Sequence, residues 1–207
     1  MNKKMFIINI SLMVAFFSIF IALSAIAAVT KTIDNLNFAY KGETNANHTY
    51  ELLAKKADED GYKQIAKLFR AVSMAESIHR NNHKAVILSL GGTPDIIDYD
   101  VVQVKSTKEN LQSSIKDETH EKDVMYPEFI KQAQIDKLPD AVQTFSFAGN
   151  AEAQHEKLYE DALKNLGNNK PVDYCVSRVS GATYAITPNS KCPCGKFGLE
   201  QEYIRIK

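Results

Sequence analysis

Phe69-Arg70-Ala71-Val72-Ser73-Met74-Ala75-Glu76-Ser77-Ile78-His79 carries a carboxylate and an imidazole on a stripe that should be wholly apolar. Ile65, Phe69, Val72, Glu76, His79, His83 and Val86 recur at steps of three and four, which is one face of an amphipathic helix. Shifted by 76 residues, Phe69 falls on Phe145, Glu76 on Glu152 and His79 on His155, within a second stripe of Val142, Phe145, Ala148, Glu152, His155, Tyr159 and Ala162. A lone Glu-x-x-His pair is common on solvated helix faces. Two copies at matching places in two core stripes demand a shared cause.

Working outward, each of these helices has a partner before it. Residues 34–61 line up Leu36, Tyr40, Glu43, Asn47, Tyr50, Ala54 and Ala57, and residues 107–138 line up Leu111, Ile115, Glu118, then Glu121 or Lys122, Met125 and Phe129. The second and fourth helices are expected over residues 62–90 and 139–166. Asp60-Gly61 and Leu138-Pro139-Asp140 are short breaks, whereas residues 91–105 open with Gly91-Gly92-Thr93-Pro94 and form a longer crossover. Tyr50 falls on Tyr126, Leu53 on Phe129 and Ala57 on Ala133. A duplicated helix pair joined by one long crossover is the connectivity of an all-α, ferritin-like four-helix bundle, here over residues 30–167. Residues 168–207 are punctuated by Gly, Pro, Ser and Thr, carry all three cysteines, and predict strands at 182–186 and 202–206. They read as a small β-rich C-terminal module.

Every helix of the bundle thus aims an acid at the axis. An ionised carboxylate in a low-dielectric interior costs several kcal/mol even after relaxation, and neighbouring carboxylates repel one another. Lys122, Arg70 and Arg80 are the only cationic side chains near these stripes, and none points to the middle. Two bound metal ions are the better counter-charge, and carboxylates with imidazoles suit iron, manganese or zinc. The expected ligands are Glu43, Glu76, His79, Glu118, Glu121, Glu152 and His155, with Glu121 one turn beyond Glu118 at the border of the face. Tyr50 and Tyr126 lie seven and eight residues after Glu43 and Glu118, placed either to donate to a ligand carboxylate or simply to pack. His48 and His120 fall off the stripes, and His83 reads as a cap on the core.

The 207 residues are 44% apolar and 24% charged, which excludes wholesale disorder. Lys plus Arg (25) balance Asp plus Glu (25), so no basic excess points to nucleic acid, and three cysteines are too few for a disulfide scaffold. Residues 1–28 form a leader: Lys3 and Lys4 precede an uncharged run from Met5 to Val29 that contains Ala25-Ile26-Ala27. It is a signal peptide with a small-x-small cleavage site, or an uncleaved N-terminal membrane anchor. Both readings place the body outside the cytoplasm, on the periplasmic or extracytoplasmic side, and contact with membrane is expected only for the uncleaved form.

The phrases Ala39-Tyr40-Lys41-Gly42-Glu43-Thr44, Ala54-Lys55-Lys56-Ala57, Ala75-Glu76-Ser77-Ile78-His79 and Met125-Tyr126-Pro127-Glu128-Phe129 resemble the helix signatures of the rubrerythrin family. The resemblance covers residues 34–167 and fills all seven iron-ligand places, with Glu76 and Glu152 implied as bridging carboxylates. It also implies that one iron moves between Glu121 and His79 as the redox state changes, that the activity is reduction of hydrogen peroxide by a di-iron pair, and that the protein is a homodimer. Tyr50 and Tyr126 are the candidate catalytic residues, with the protons expected from a ligand carboxylate or from Tyr50. Rubrerythrins usually end in a rubredoxin-like module with one iron on four cysteine thiolates. Here Tyr174-Cys175-Val176-Ser177-Arg178-Val179-Ser180-Gly181 resembles a first knuckle with one surviving cysteine, and Cys192-Pro193-Cys194-Gly195 lacks one spacer residue. A four-thiolate iron is therefore not expected in this degenerate module. A disulfide of Cys175 with Cys192 or Cys194 is expected instead, and an external electron donor is then required. The competing functions are a ferroxidase or iron-handling protein that uses dioxygen, and a metal-stabilised module without turnover.

Overall fold

The structure, a computed structural model, describes residues 3–193 and 202–207, with side chains from residue 31 onward. Five α-helices and three strands follow in order: α1 (Lys3–Glu59), α2 (Lys63–Ser89), α3 (Thr107–His120), α4 (Tyr126–Ile135), α5 (Pro139–Lys164), β1 (Asp173–Ser177), β2 (Thr183–Ile186) and β3 (Tyr203–Ile206). The architecture is a four-helix ferritin-like bundle with a small rubredoxin-like β-sheet module after it. Helix α1 starts far before the expected residue 34, because no Gly or Pro interrupts the chain ahead of Gly42. The leader's side chains, and with them its reading as signal or anchor, lie outside the described residues. Among the described residues no helix is long and apolar enough to cross a membrane.

Local chemistry sets the remaining boundaries. Ser106 caps α3 by accepting from the Glu109 amide while the Glu109 side chain accepts from the Ser106 amide, a reciprocal capping box. Pro139 opens α5 at a position where its missing N–H costs nothing. The third bundle helix, expected as one piece over residues 107–138, is instead divided by a π-helical turn, Glu121–Met125, between α3 and α4. Pro127 supplies the reason: it has no N–H to give Asp123, and its ring would crowd that carbonyl in a regular α-helix. Widening the preceding turn relieves both problems.

Two apolar clusters fill the bundle, one holding Tyr50, Leu53, Phe69, Val72, Leu111 and Tyr159, the other Leu36, Ala39, Met125, Tyr126, Phe145 and Ala148. The acidic residues of the four stripes lie between them along every helix. The module packs on α2, with Tyr174 and Val176 of β1 joining the first cluster. Lys67 Nζ donates to the Val172 carbonyl at 2.8 Å and meets Asp173 at 3.2 Å. The sheet order is β2-β1-β3, both pairings antiparallel. Its central strand, β1, escaped the sequence reading. Buried along its whole length, it shows none of the alternation that marks a half-exposed strand. Cys175 of β1 is disulfide-bonded to Cys192, which settles the open pairing, while Cys194 lies outside the described residues.

The disulfide closes a loop of 17 residues in sequence. Its reduction is expected to destabilise the sheet by about 3 kcal/mol, read as faster amide exchange at β1 with α2 and α5 unchanged. Identical exchange in the oxidised and reduced protein contradicts this.

Candidate metal centre

Six side chains from four helices converge between the apolar clusters: Glu43 of α1, Glu76 and His79 of α2, Glu118 of α3, and Glu152 and His155 of α5. None is more than 2% exposed. The i, i+3 spacing brings His79 Nδ1 to 2.8 Å from Glu76 and His155 Nδ1 to 2.8 Å from Glu152. Across the bundle, His79 Nδ1 lies 3.3 Å from Glu152 and His155 Nδ1 lies 3.3 Å from Glu76. The result is two groups of potential ligands whose donor atoms lie within 4.8 Å of one another: Glu43, Glu76, His79 and Glu152, and then Glu76, Glu118, Glu152 and His155. Glu76 and Glu152 belong to both. Glu43 and Glu118 each belong to one, as terminal groups of a nearly two-fold arrangement.

Three carboxylate oxygens of this cluster, on Glu43, Glu118 and Glu152, are buried without a hydrogen-bond partner. Such an orphan costs about 1–3 kcal/mol, more when charged, so this cluster carries acceptor capacity that the protein leaves unused. Two cations between Glu76 and Glu152 fit that capacity, and the donor set matches a di-iron site of the ferritin-like type. Without a cation the groups share protons. Burial and the neighbouring Glu76 push Glu43 up to about 7. Burial opposes a charge on His155, yet Glu76 and Glu118 raise it to about 10, and Glu152, Glu43 and Glu76 likewise raise His79. Burial would raise Glu76, but the His155 and His79 imidazoliums outweigh it and hold that carboxyl near 2. Burial raises Glu152 well above the usual carboxylate range, and Glu76 adds to the effect.

The two tyrosines reach across the bundle rather than along their own helices. Tyr50 OH of α1 donates to Glu118 of α3 at 2.6 Å, and Tyr126 OH of α4 donates to Glu43 of α1. Each terminal carboxylate is therefore oriented by a phenol from the opposite hairpin. Burial and the acids around them raise both phenols well above their ordinary range, so they remain protonated donors. Tyr126 sits eight residues after Glu118 where Tyr50 sits seven after Glu43. The π-turn absorbs that one extra residue without rotating Tyr126 off the face. The repeat offset holds the signal: 75 residues separate Glu43 from Glu118, but 76 separate Tyr50 from Tyr126.

His83 is buried behind Tyr126, its Nε2 3.3 Å from that hydroxyl and its Nδ1 3.0 Å from Thr144 Oγ1. Burial and the nearby His79 push it down to about 3, so it is neutral. With Tyr126 donating to Glu43, the phenol oxygen accepts from His83, which in turn accepts from Thr144. His83 is thus a core residue, as its stripe position suggested, that also aims a ligand-orienting tyrosine. Glu121 stands apart. At the first position of the π-turn it is half-buried, belongs to neither ligand group, and lines a cavity of about 490 Å³ with Tyr50, Asp117 and Glu109. Burial and the charges of Glu43 and Glu118 raise its carboxyl well above the usual range. Lys122, the other candidate for that inward place, points away to Glu156 at 2.5 Å. His48 stacks on Tyr99 with ring centroids 4.4 Å apart, and His120 is exposed.

Residues 34–163 match the family model described as Rubrerythrin. Rubrerythrin-2 of Clostridium acetobutylicum is 34% identical over 173 residues, covering 79% of this chain and 91% of that one. Nigerythrin of Nitratidesulfovibrio vulgaris is 32% identical over 166 residues, covering 80% of this chain and 82% of that one. The solved structure of nigerythrin in its fully reduced, all-ferrous state superposes with a TM-score of 0.76 at 31% identity, covering 84% of this chain and 86% of that one. A bacterioferritin of Mycobacterium tuberculosis shares the fold, with a TM-score of 0.62 at 19% identity and coverage of 67% and 87%.

Metal must displace protons from His79 and His155, whose raised affinity for protons keeps them charged near neutrality. Titrating the metal-free chain with Fe(II) under anaerobic conditions is therefore expected to saturate at about two ions with release of at least two protons, from the histidines and from the raised carboxyls of Glu152 and Glu43, and to tighten from pH 6 to pH 8. Binding that is independent of pH, or that saturates at one ion, contradicts the arrangement.

Proposed function

Since the chain belongs to the rubrerythrin family of di-iron oxidoreductases, we propose that it reduces hydrogen peroxide to water on the extracytoplasmic side of the membrane. The observation that carries the reading is the sealed cluster in which Glu76 and Glu152 are common to two ligand groups. In it Glu43, Glu76 and His79, with Glu118, Glu152 and His155, would hold two iron ions, and Glu121, outside both groups, would be a further carboxylate on one side. Splitting the O–O bond of H₂O₂ into two waters takes two electrons and two protons, and a diferrous pair supplies one electron per ion together with Lewis acidity.

The chain's own residues do the rest. Tyr50 and Tyr126 hold the terminal carboxylates Glu118 and Glu43 in place, and their phenol protons lie within reach of the acids that border the substrate position. The apolar clusters on either side, with Phe69 and Tyr159 facing Phe145 and Met125, keep bulk water from the layer. The cavity over Tyr50 and Glu121 gives a small, neutral oxidant a way in from the crossover side. Three cysteines cannot build a four-thiolate iron site, and two of them form a disulfide. Electrons then come from an external donor to a homodimeric protein. The leader and the disulfide both support an oxidising compartment outside the cytoplasm.

The diferrous chain is expected to be oxidised faster by peroxide than by dioxygen in stopped-flow absorbance. Faster reaction with dioxygen, with Fe(II) oxidation continuing beyond two ions per chain, marks a ferroxidase instead. Absence of peroxide consumption with every chemical reductant marks a metal-stabilised module without turnover. Tyr126→Phe, which leaves Glu43 without its donor, is expected to lower peroxide turnover about tenfold or more while far-ultraviolet circular dichroism stays unchanged. Wild-type turnover in that variant contradicts the orienting role.

A further inference from the structure

Both histidines of the cluster face the C-terminal module with the ring nitrogen that faces away from the carboxylates. His79 Nε2 lies 3.0 Å from the Ser180 carbonyl, and His155 Nε2 lies 3.2 Å from Thr183 Oγ1. A carbonyl has no proton to give, so the hydrogen of the first contact is on His79 Nε2. Thr183 Oγ1 donates to the Gly181 carbonyl at 3.0 Å, so its proton is committed and it accepts from His155 Nε2. In both rings Nε2 is thereby held protonated, so the proton that a metal displaces is the one on Nδ1, the nitrogen that faces the carboxylates. We propose that residues 177–183 are the positioning element of the dinuclear centre, holding His79 and His155 in the tautomer and orientation that present Nδ1 to metal. The inference rests on the metal-centre reading given above.

The turn is built and anchored for that task. Ser177 Oγ accepts from the amides of Val179 and Ser180 at 3.3 and 3.2 Å, and the Gly181 amide donates back to the Ser177 carbonyl at 3.0 Å. Ser177-Arg178-Val179-Ser180-Gly181 therefore keeps the two-residue spacer of a thiolate knuckle with serines at both ends, and Cys175 lies outside that frame, on β1. The two helices that carry the histidines also grip the turn: Asn82 of α2 donates to the Val179 carbonyl at 2.9 Å, and the Thr183 amide donates to Gln154 of α5 at 2.9 Å. Behind it, the Cys175–Cys192 disulfide ties β1 down. Gly181 has φ +73°, and a methyl group built on it would overlap the His79 imidazole. Only glycine lets the backbone lie this close to the ring. A module with no four-thiolate iron thus keeps a contact with each histidine.

The test uses the full chain loaded with Zn²⁺, which is diamagnetic, and reads imidazole ¹⁵N shifts by long-range ¹H–¹⁵N correlation together with the rate of zinc release to a chromogenic chelator. In the wild-type chain both rings are expected to show metal-bound Nδ1 and protonated Nε2. Thr183→Val keeps a β-branched residue at the start of β2 but removes the acceptor. It is expected to shift the His155 nitrogens and speed zinc release about tenfold or more, with His79 unchanged, and Thr183→Ser is expected to restore both. Gly181→Ala is expected to perturb His79 first. Zinc bound through Nε2, or Thr183→Val and Gly181→Ala chains that match wild type in shifts and release rate, overturns the positioning role. A wild-type chain in which neither ring binds zinc overturns the metal-centre reading itself.

Discussion

Four carboxylates buried within a few ångströms of one another cannot all be charged unless positive charge lies among them, and this constraint organises the molecule. Glu43, Glu76, Glu118 and Glu152 have given up hydration, and three of their oxygens have no hydrogen-bond partner. Without metal, the only available remedy is to share protons with His79 and His155, which is why those rings hold protons so tightly and Glu43 so much more than an ordinary carboxyl. Two cations remove the conflict at a stroke. The apolar clusters on either side stabilise the bundle, but the polar layer between them contributes little to stability without its ions.

The arrangement is a doubled hairpin whose two halves complete one another. Each hairpin contributes one Glu-x-x-His pair and one terminal glutamate, and each sends a tyrosine to the other's terminal glutamate. Neither half makes the site alone. The π-turn is where the copies differ: one inserted residue before Pro127 is stored as a wide turn, Tyr126 keeps its place, and Glu121 is lifted to the rim of the crossover cavity. Glu121 on that turn stands outside both ligand groups, beside one side only of an otherwise nearly two-fold cluster.

Much of this was legible in the sequence because helix periodicity is a strong signal and the repeat doubled it. Stripes such as Phe69, Val72, Glu76 and His79 predict burial one residue at a time, and all six clustered side chains were found that way. What escaped depends on events that period counting does not register. The π-turn interrupts a stripe whose apolar spacing looks continuous, although the offset change from 75 to 76 residues records it. Strand β1 is buried on all sides, so it shows no alternation, and its cysteine draws the eye to a knuckle that the serines at 177 and 180 in fact form. The grip of residues 177–183 on His79 and His155 is a tertiary contact, separated by as many as 101 residues for His79 and Ser180. No local pattern carries it.

The β-module thereby changes character. It carries a disulfide in place of a thiolate metal site, yet its turn still closes one side of the dinuclear centre and leaves the histidines a single way to present their lone pairs. The central claim, that two ions share Glu76 and Glu152, is tested most directly by anomalous diffraction at the iron edge from crystals of the iron-loaded chain. The account predicts two strong peaks inside the bundle, flanked by Glu43 with His79 and by Glu118 with His155. A single peak, or iron found only on surface carboxylates, contradicts it.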